Sequence, residues 1–303
     1  MAPAVPRNRR EIREALRSLG ARPSPRRGQN FLADGRVLDR IADAAAPRPG
    51  DLVLEVGPGL GGLTARLAAS GAEVAAVEID PACAVFLRRA FAGEPRVCVV
   101  EADALDGHGM LSSPLASLLD HATGSVRHLV VSNLPYSIAT PLILALLRRR
   151  RPPDDMVVMV QREVFQRLRA LPSTRDFGPL SVLVQTVARV SGVLPVPRTA
   201  FYPVPAVESS VARITPDPAL RAAAGDLDRL RTLVHAAFGR RRKTLGNALS
   251  AAGLADAAAL RAAGVDPGRR AEALAPAEFV ALAAALPSLA SGGGRAEIGG
   301  ASP

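Results

Sequence analysis

Asn133, Leu134, Pro135 and Tyr136 stand side by side in "NLPYSIAT" (133–140), directly after the apolar run "HLVVS". An amide, a rigid imino acid and a phenol closing a buried strand can do chemistry. The side-chain oxygen of Asn133, with the backbone carbonyl of Leu134 or Pro135, can accept the hydrogens of a conjugated exocyclic amine. Such an amine is a poor nucleophile because its lone pair is delocalised into its ring. Acceptors that draw its hydrogens favour the pyramidal, reactive form. Pro135 stiffens the loop, and Tyr136 offers a face for a base turned out of its stack. The chain has no Trp, two Tyr and eight Phe, so aromatic placement is informative. Three of the aromatics fall in this stretch and in "FYPVPAVESS" (201–210).

A second constellation is "VLEVGPGLGGLT" (53–64), which sets Gly57, Gly59, Gly61 and Gly62 after a strand and before a helix. A glycine turn there lets a ligand approach the backbone and meet the helix N-terminus. Glu78 ends the next strand, 21 positions after Gly57, where a carboxylate can accept from both hydroxyls of a ribose. A dinucleotide site shares this geometry. Two acids favour S-adenosylmethionine instead. Glu55 just precedes the glycines, which suits a cationic sulfonium better than a pyrophosphate, and Asp103 ends a third strand, where it can take an adenine amino group. Methylation of an adenine amine would then rest on positioning and electrostatic stabilisation.

The elements that must position these residues follow from periodicity. Helices are expected over 11–19, ended by Gly20, and over 34–46, with Asp34 as N-cap and Pro47 beyond its end. Strands are expected at 51–56, 73–80, 96–103, 128–132 and 155–161, each followed by an amphipathic helix or a turn leading to one. A helix is expected over 180–190 and a late strand over 209–215. The alternation predicts an α/β fold, a mostly parallel sheet with helices on both faces. From about residue 226 only short helices separated by Gly or Pro are expected. The resulting division is a basic N-terminal segment 1–27, a main domain 28–220, a helical domain 226–287 and a disordered tail 288–303.

Composition narrows the partners. The formal charge is +10, gathered in "RNRR" (7–10), "RPSPRR" (22–27), "RRRR" (148–151) and "GRRRKT" (239–244). Together these suggest a polyanion, most naturally nucleic acid. No run of about 18 uncharged apolar residues occurs, so no membrane span is expected. The N-terminus lacks the apolar core of a secretory signal. Cys83 and Cys98 lack metal-ligand spacing and read as buried apolar thiols. The four histidines are scattered, so no metal site is expected, and a cytoplasmic location fits.

"GQNFLAD" (28–34), "EVGPGLGGLT", "VEID" (77–80), "EADAL" (101–105), "NLPYSIATPLI", "QREVFQRL" (161–168), "FGPLSVLVQ" (177–185) and "FYPVPAVESSV" occur in that order. In these blocks, spanning roughly residues 11–287, the chain resembles the ribosomal RNA adenine N6,N6-dimethyltransferases. The resemblance implies a Rossmann-like S-adenosylmethionine-dependent methyltransferase domain followed by a small all-helical domain. It implies cofactor contacts at Asn30, Leu32, Gly57, Glu78, Asp103 and Asn133, and makes Phe201 a second stacking wall for the target base. "FGRRRKTLGNALSAAGL" and the sequence after it resemble the small-subunit branch, which dimethylates two adjacent adenosines in the 3′-terminal hairpin of 16S rRNA. Arg240, Arg241, Arg242 and Lys243 would then meet phosphates. The implied partner is 16S rRNA in an immature 30S particle, met by a monomer. The macrolide-resistance branch acting on 23S rRNA and an assembly checkpoint acting mainly by binding are the alternatives. Ser137 and Ala139 stand where the family usually has Asn and Ser, residues 106–128 read as an extra loop, and Ala275 replaces a Ser-like cap before Pro276.

Overall fold

A computed structural model of the protein describes residues 4–24, 28–121, 126–240 and 242–286. Arg26, Arg27 and Arg241 of the basic clusters, and the whole of the tail 288–303, lie outside the described residues. The chain divides into two compact units, Met1–Arg169 with Val187–Pro218, and Ala170–Thr186 with Ala219–Pro303.

The first unit opens with α1 (Arg9–Ser18), β1 (Phe31–Leu32) and α2 (Gly35–Ala45). Alternating strands and helices follow: β2 (Leu52–Val56), α3 (Gly62–Ala69), β3 (Glu73–Glu78), α4 (Pro81–Ala90), β4 (Val97–Glu101), α5 (Ser113–His121), β5 (His128–Asn133), α6 (Ala139–Arg148), β6 (Asp155–Gln161) and α7 (Arg162–Leu168). Side chains set the helix starts. Asp34 accepts from the backbone N–H groups of Arg36 and Val37, and Asp80 from those of Ala82 and Cys83 ahead of Pro81 at the first helical position.

Seven strands form one sheet in the order β4-β3-β2-β5-β6-β9-β7, with β7 (Ala188–Val196) and β9 (Ser209–Pro216) completing it. β2 through β6 pair in parallel, while β9 runs antiparallel to both β6 and β7. Val53, Val74, Leu129 and Val157 share one buried face with Val37 and Ile41 of α2 and Leu63 and Leu67 of α3. The alternate residues Leu54, Ala75, Val130 and Met156 are also buried. A sheet covered on both faces reads as continuous apolar runs, as these strands do. The expected fold class is therefore the observed one, and the late strand is in place.

The chain crosses from β4 at one edge back to β5 beside β2, so the strand order reverses between β2 and β5. That reversal opens a crevice at the carboxyl ends of those two strands. Their ladder ends at Leu54 and Val130. Beyond it the Ser132 hydroxyl donates to the Val56 carbonyl at 2.5 Å, holding the strands together while the backbones diverge. The glycine turn and the Asn-Leu-Pro-Tyr segment leave the sheet at this point.

Several expectations are corrected. The helix expected over 180–190 ends early: α8 (Pro179–Gln185) stops and β7 begins at Ala188. The β-branched Val187, Val190, Val193 and Val196 suit a strand, and β9 supplies its antiparallel partner. Residues 106–128 hold α5 rather than only a loop. Cys98 is exposed, because β4 is an edge strand, whereas Cys83 is buried. A small antiparallel pair between β1 and β8 (Phe201–Tyr202) was not visible from local sequence.

The second unit consists of α8 with α9 (Pro218–Ala224), α10 (Leu227–Phe238), α11 (Leu245–Ala251), α12 (Ala257–Ala262) and α13 (Pro276–Ala285). Phe177, Phe238 and Phe279 pack in series, with ring centroids 6.3 and 5.8 Å apart. Residues 170–186 join this unit, so the helical body is built from two chain segments instead of one. Ala275 has no capping oxygen. Glu278 compensates in part by accepting from the Ala275 N–H at 2.7 Å.

Candidate active site

At the switch point lies a cavity of about 280 Å³. Asn30, Leu32, Glu55, Gly57, Gly59, Glu78, Asp103, Asn133, Leu134, Pro135 and Tyr136 all line it. Of the residues expected at the catalytic and cofactor sites, one does not. Phe201 is fully buried in the core beside Leu32, its antiparallel partner, and presents no free face to a base. Truncating Phe201 to alanine is expected to lower stability by about 3–5 kcal/mol, read as a fall in the urea midpoint.

Five segments distant in sequence hold one another at the cavity. The Asn133 amide nitrogen donates to the Asn30 carbonyl at 3.1 Å, which leaves its oxygen free to accept. The Leu134 N–H donates to the Met159 carbonyl at 3.1 Å, tying the segment to β6. The Pro135 carbonyl accepts from the Ile138 N–H at 3.1 Å. Of the two carbonyls considered from sequence, that of Leu134 is therefore the one with no partner among the described residues. Tyr136 shares a 2.7 Å hydrogen bond with the Ser209 hydroxyl, and burial raises its phenol pKa. Gly57 has φ +71°, and a Cβ there would meet Pro135 Cγ at 3.0 Å. Only glycine permits both that conformation and that approach.

The carboxylates are built into the walls. Glu78 accepts from the Gly59 N–H and the Asp80 N–H, both at 2.9 Å, one on each oxygen. It thus clamps the glycine turn to the end of β3 and retains further lone pairs. Burial raises its pKa despite these bonds. Asp103, two residues beyond β4, is exposed and accepts from the Leu105 N–H at 3.1 Å. Gln29 bridges to this edge by donating to Asp80 at 3.0 Å. Sequence reasoning missed that bridge, and it missed Ile79, 45% exposed on the cavity wall. A large aliphatic left open directly after Glu78 was the available signal.

Glu55 is 2% exposed and accepts from the Thr64 hydroxyl at 2.6 Å. Burial, followed by the nearby charge of Glu78, pushes its pKa up to about 8. With a folded pKa above the unfolded one, the folded state binds the extra proton. Stability therefore falls as pH rises from the ordinary carboxyl range to about 8, and levels off above it. Glu55→Gln is expected to remove that part of the slope, leaving the variant a few kcal/mol more stable than the parent above pH 8. Urea midpoints from pH 5 to 9 check this; parallel profiles for the two proteins would count against a buried, protonated Glu55.

Among the described residues no Lys, Arg or His lines the cavity, in a chain of net charge +10. The carboxylates of Glu78 and Asp103, with no basic side chain among the described lining residues, disfavour a pyrophosphate and favour a cationic ligand. This lining suits the nucleoside reading better than the dinucleotide reading. In the helical unit Arg240, Arg242 and Lys243 are exposed in the turn between α10 and α11. Among the described residues no group of three metal-ligating side chains forms and no helix is long and apolar enough to cross a membrane.

Residues 22–287 match the family described as ribosomal RNA adenine dimethylase. The chain is 49% identical over 267 residues to ribosomal RNA small subunit methyltransferase A of Anaeromyxobacter dehalogenans, covering 86% of this chain and 92% of that protein. It is 42% identical over 277 residues to the protein of that name from Pelotomaculum thermopropionicum, covering 90% and 94%. Among solved structures, a dimethyladenosine transferase from Plasmodium falciparum superposes with a TM-score of 0.68 at 23% identity, covering 83% of this chain and 95% of that one. The 23S rRNA methyltransferase ErmE superposes at 0.59 and 29%, covering 85% and 99%. With the glycine turn, the acids and the Asn-Leu-Pro-Tyr segment meeting in one cavity, and the family match spanning both units, this chain belongs to the ribosomal RNA adenine dimethylase family.

Proposed function

We propose that the protein methylates N6 of two adjacent adenosines in the 3′-terminal hairpin of 16S rRNA, using S-adenosylmethionine, on an immature 30S particle. The observation that carries this reading is the acid-lined cavity, with no basic side chain among its described residues, that ends at Asn133 and the Leu134 carbonyl. Identity of 42–49% to small-subunit methyltransferases, against 29% to the 23S enzyme, supports the small subunit as target.

Glu78 would hold the ribose hydroxyls, Asp103 the adenine amino group, and Glu55 would face the positive charge. S-adenosylmethionine, when bound, supplies an electrophilic methyl group. Asn133 Oδ1 and the Leu134 carbonyl accept the two hydrogens of the target amine, turning its lone pair out of the ring plane. Neither is a strong base, so their contribution is alignment and stabilisation of the charge developing on nitrogen. In the second round the amine keeps one hydrogen, and one acceptor suffices to orient it. Tyr136, braced by Ser209, provides a stacking face.

The test is incubation with labelled S-adenosylmethionine and 30S particles lacking this modification, beside 50S particles, followed by mapping of the label. Dimethyladenosine in the 3′-terminal hairpin of 16S rRNA is expected. Label confined to 23S rRNA overturns the choice of target, and tight 30S binding without any label favours a checkpoint role.

A further inference from the structure

The α1 helix has two faces. Ile12 and Leu16 are buried against Phe31, Leu60, Cys83 and Phe86, while Arg13 and Arg17, one turn apart, are exposed. Beside the exposed face runs a groove walled by α1, the segment 20–23 and Tyr202–Pro203. Among the described residues its lining carries three guanidinium groups, from Arg13, Arg17 and Arg22, one aromatic ring and no carboxylate. Elsewhere arginines are commonly neutralised, as Arg127 is by Asp51 and Arg213 by Asp155. Here Arg13 lies over the Tyr202 ring, 5.4 Å from its centroid. Stacking of that kind orients a guanidinium while leaving its N–H donors available. Among the described residues neither Arg17 nor Arg22 has an acidic partner.

The groove adjoins the active site through shared elements. Ile12, on the same helix, lines the catalytic cavity, as does Phe31, whose backbone pairs with Tyr202. An adenosine that enters the cavity must be unstacked, so a site for its neighbours has to take single strand. Clustered arginines around an aromatic ring are the chemistry that tracks such a strand.

We propose that the groove formed by Arg13, Arg17, Arg22 and Tyr202 binds the phosphates of single-stranded RNA flanking the target adenosine. The proposal rests on the reading of the protein as an RNA methyltransferase. Its test compares Arg13→Gln/Arg17→Gln/Arg22→Gln with a control of equal charge change, Arg40→Gln/Arg48→Gln/Arg89→Gln, whose side chains are exposed elsewhere on the same unit. Binding of a single-stranded RNA oligonucleotide is followed by fluorescence anisotropy across a salt series, and methyl transfer is measured on unmodified 30S particles. Loss of three phosphate contacts is expected to flatten the log–log salt slope by about 2, at roughly 0.7 per contact. The KM for 30S should rise about tenfold while kcat stays within about twofold and cofactor affinity is unchanged, as expected for lost uniform binding. The control should keep the parental slope. Equal losses in both variants, or an unaltered slope in the groove variant, overturn the proposal. If the parent protein methylates no RNA, the functional reading fails, while the salt slopes still decide the groove.

Discussion

Asn133→Ala is expected to lower kcat for methyl transfer by a factor of about 10²–10³, the usual cost of removing one fixed polar group aimed at developing charge. The size of the effect follows from how the amide is held. Its nitrogen is committed to the Asn30 carbonyl, so its oxygen meets the incoming amine already oriented. Alanine removes that acceptor and leaves Leu134 alone. Asn133→Gln keeps the chemistry but moves the amide by one methylene, and should lose most of the rate as well, since displacements of about 1 Å can cost 10²-fold. Cofactor affinity, measured by calorimetry, should change less than kcat in both variants. A kcat within threefold of the parent would remove Asn133 from the chemistry.

Glu78→Ala is expected to weaken cofactor binding by about 10²-fold or more. Each hydrogen bond to a charged group is worth about 1.5–3 kcal/mol, and two ribose hydroxyls are lost together. The same carboxylate holds the Gly59 and Asp80 N–H groups, so the glycine turn also loses its tether to β3. Glu78→Gln does not rescue it. One side-chain oxygen becomes an NH₂ that must face a backbone N–H, donor against donor. At saturating cofactor, kcat should recover to within several-fold, which separates this residue from Asn133. Unchanged affinity in equilibrium dialysis would refute the assignment of Glu78 to the ribose.

Charge is segregated at this site. Among the described residues the cavity holds three acids and no base, whereas the groove beside it holds three arginines and no acid. A cationic cofactor and an anionic RNA can therefore approach from adjoining surfaces without competing for the same groups. In the cavity wall, burial and the nearby charge of Glu78 raise the pKa of Glu55 to about 8.

Much of this was legible in the sequence because it depends on local chemistry. The glycines after β2, the acid closing β3 and the Asn-Leu-Pro-Tyr segment after β5 mark the carboxyl ends of strands, and strand alternation predicts that those ends share one edge. Apolar runs and caps such as Asp34 and Asp80 follow from periodicity and from orphan N–H groups near the chain itself. What local sequence could not decide was pairing at a distance. Phe201 reads as an aromatic beside a proline-rich turn, and only the β1–β8 pair sends it into the core. Residues 180–190 read as a helix until β9 offers β7 a strand partner, and 170–186 pass to the helical unit through contacts with α10 and α13. The choice of Leu134 over Pro135 as acceptor needed the turn that places the Ile138 N–H. Local composition sets what each segment can become, but many hydrogen-bond partners and much of the burial are supplied by other segments, some of them more than a hundred residues away, and those decide which side chains are left free to act.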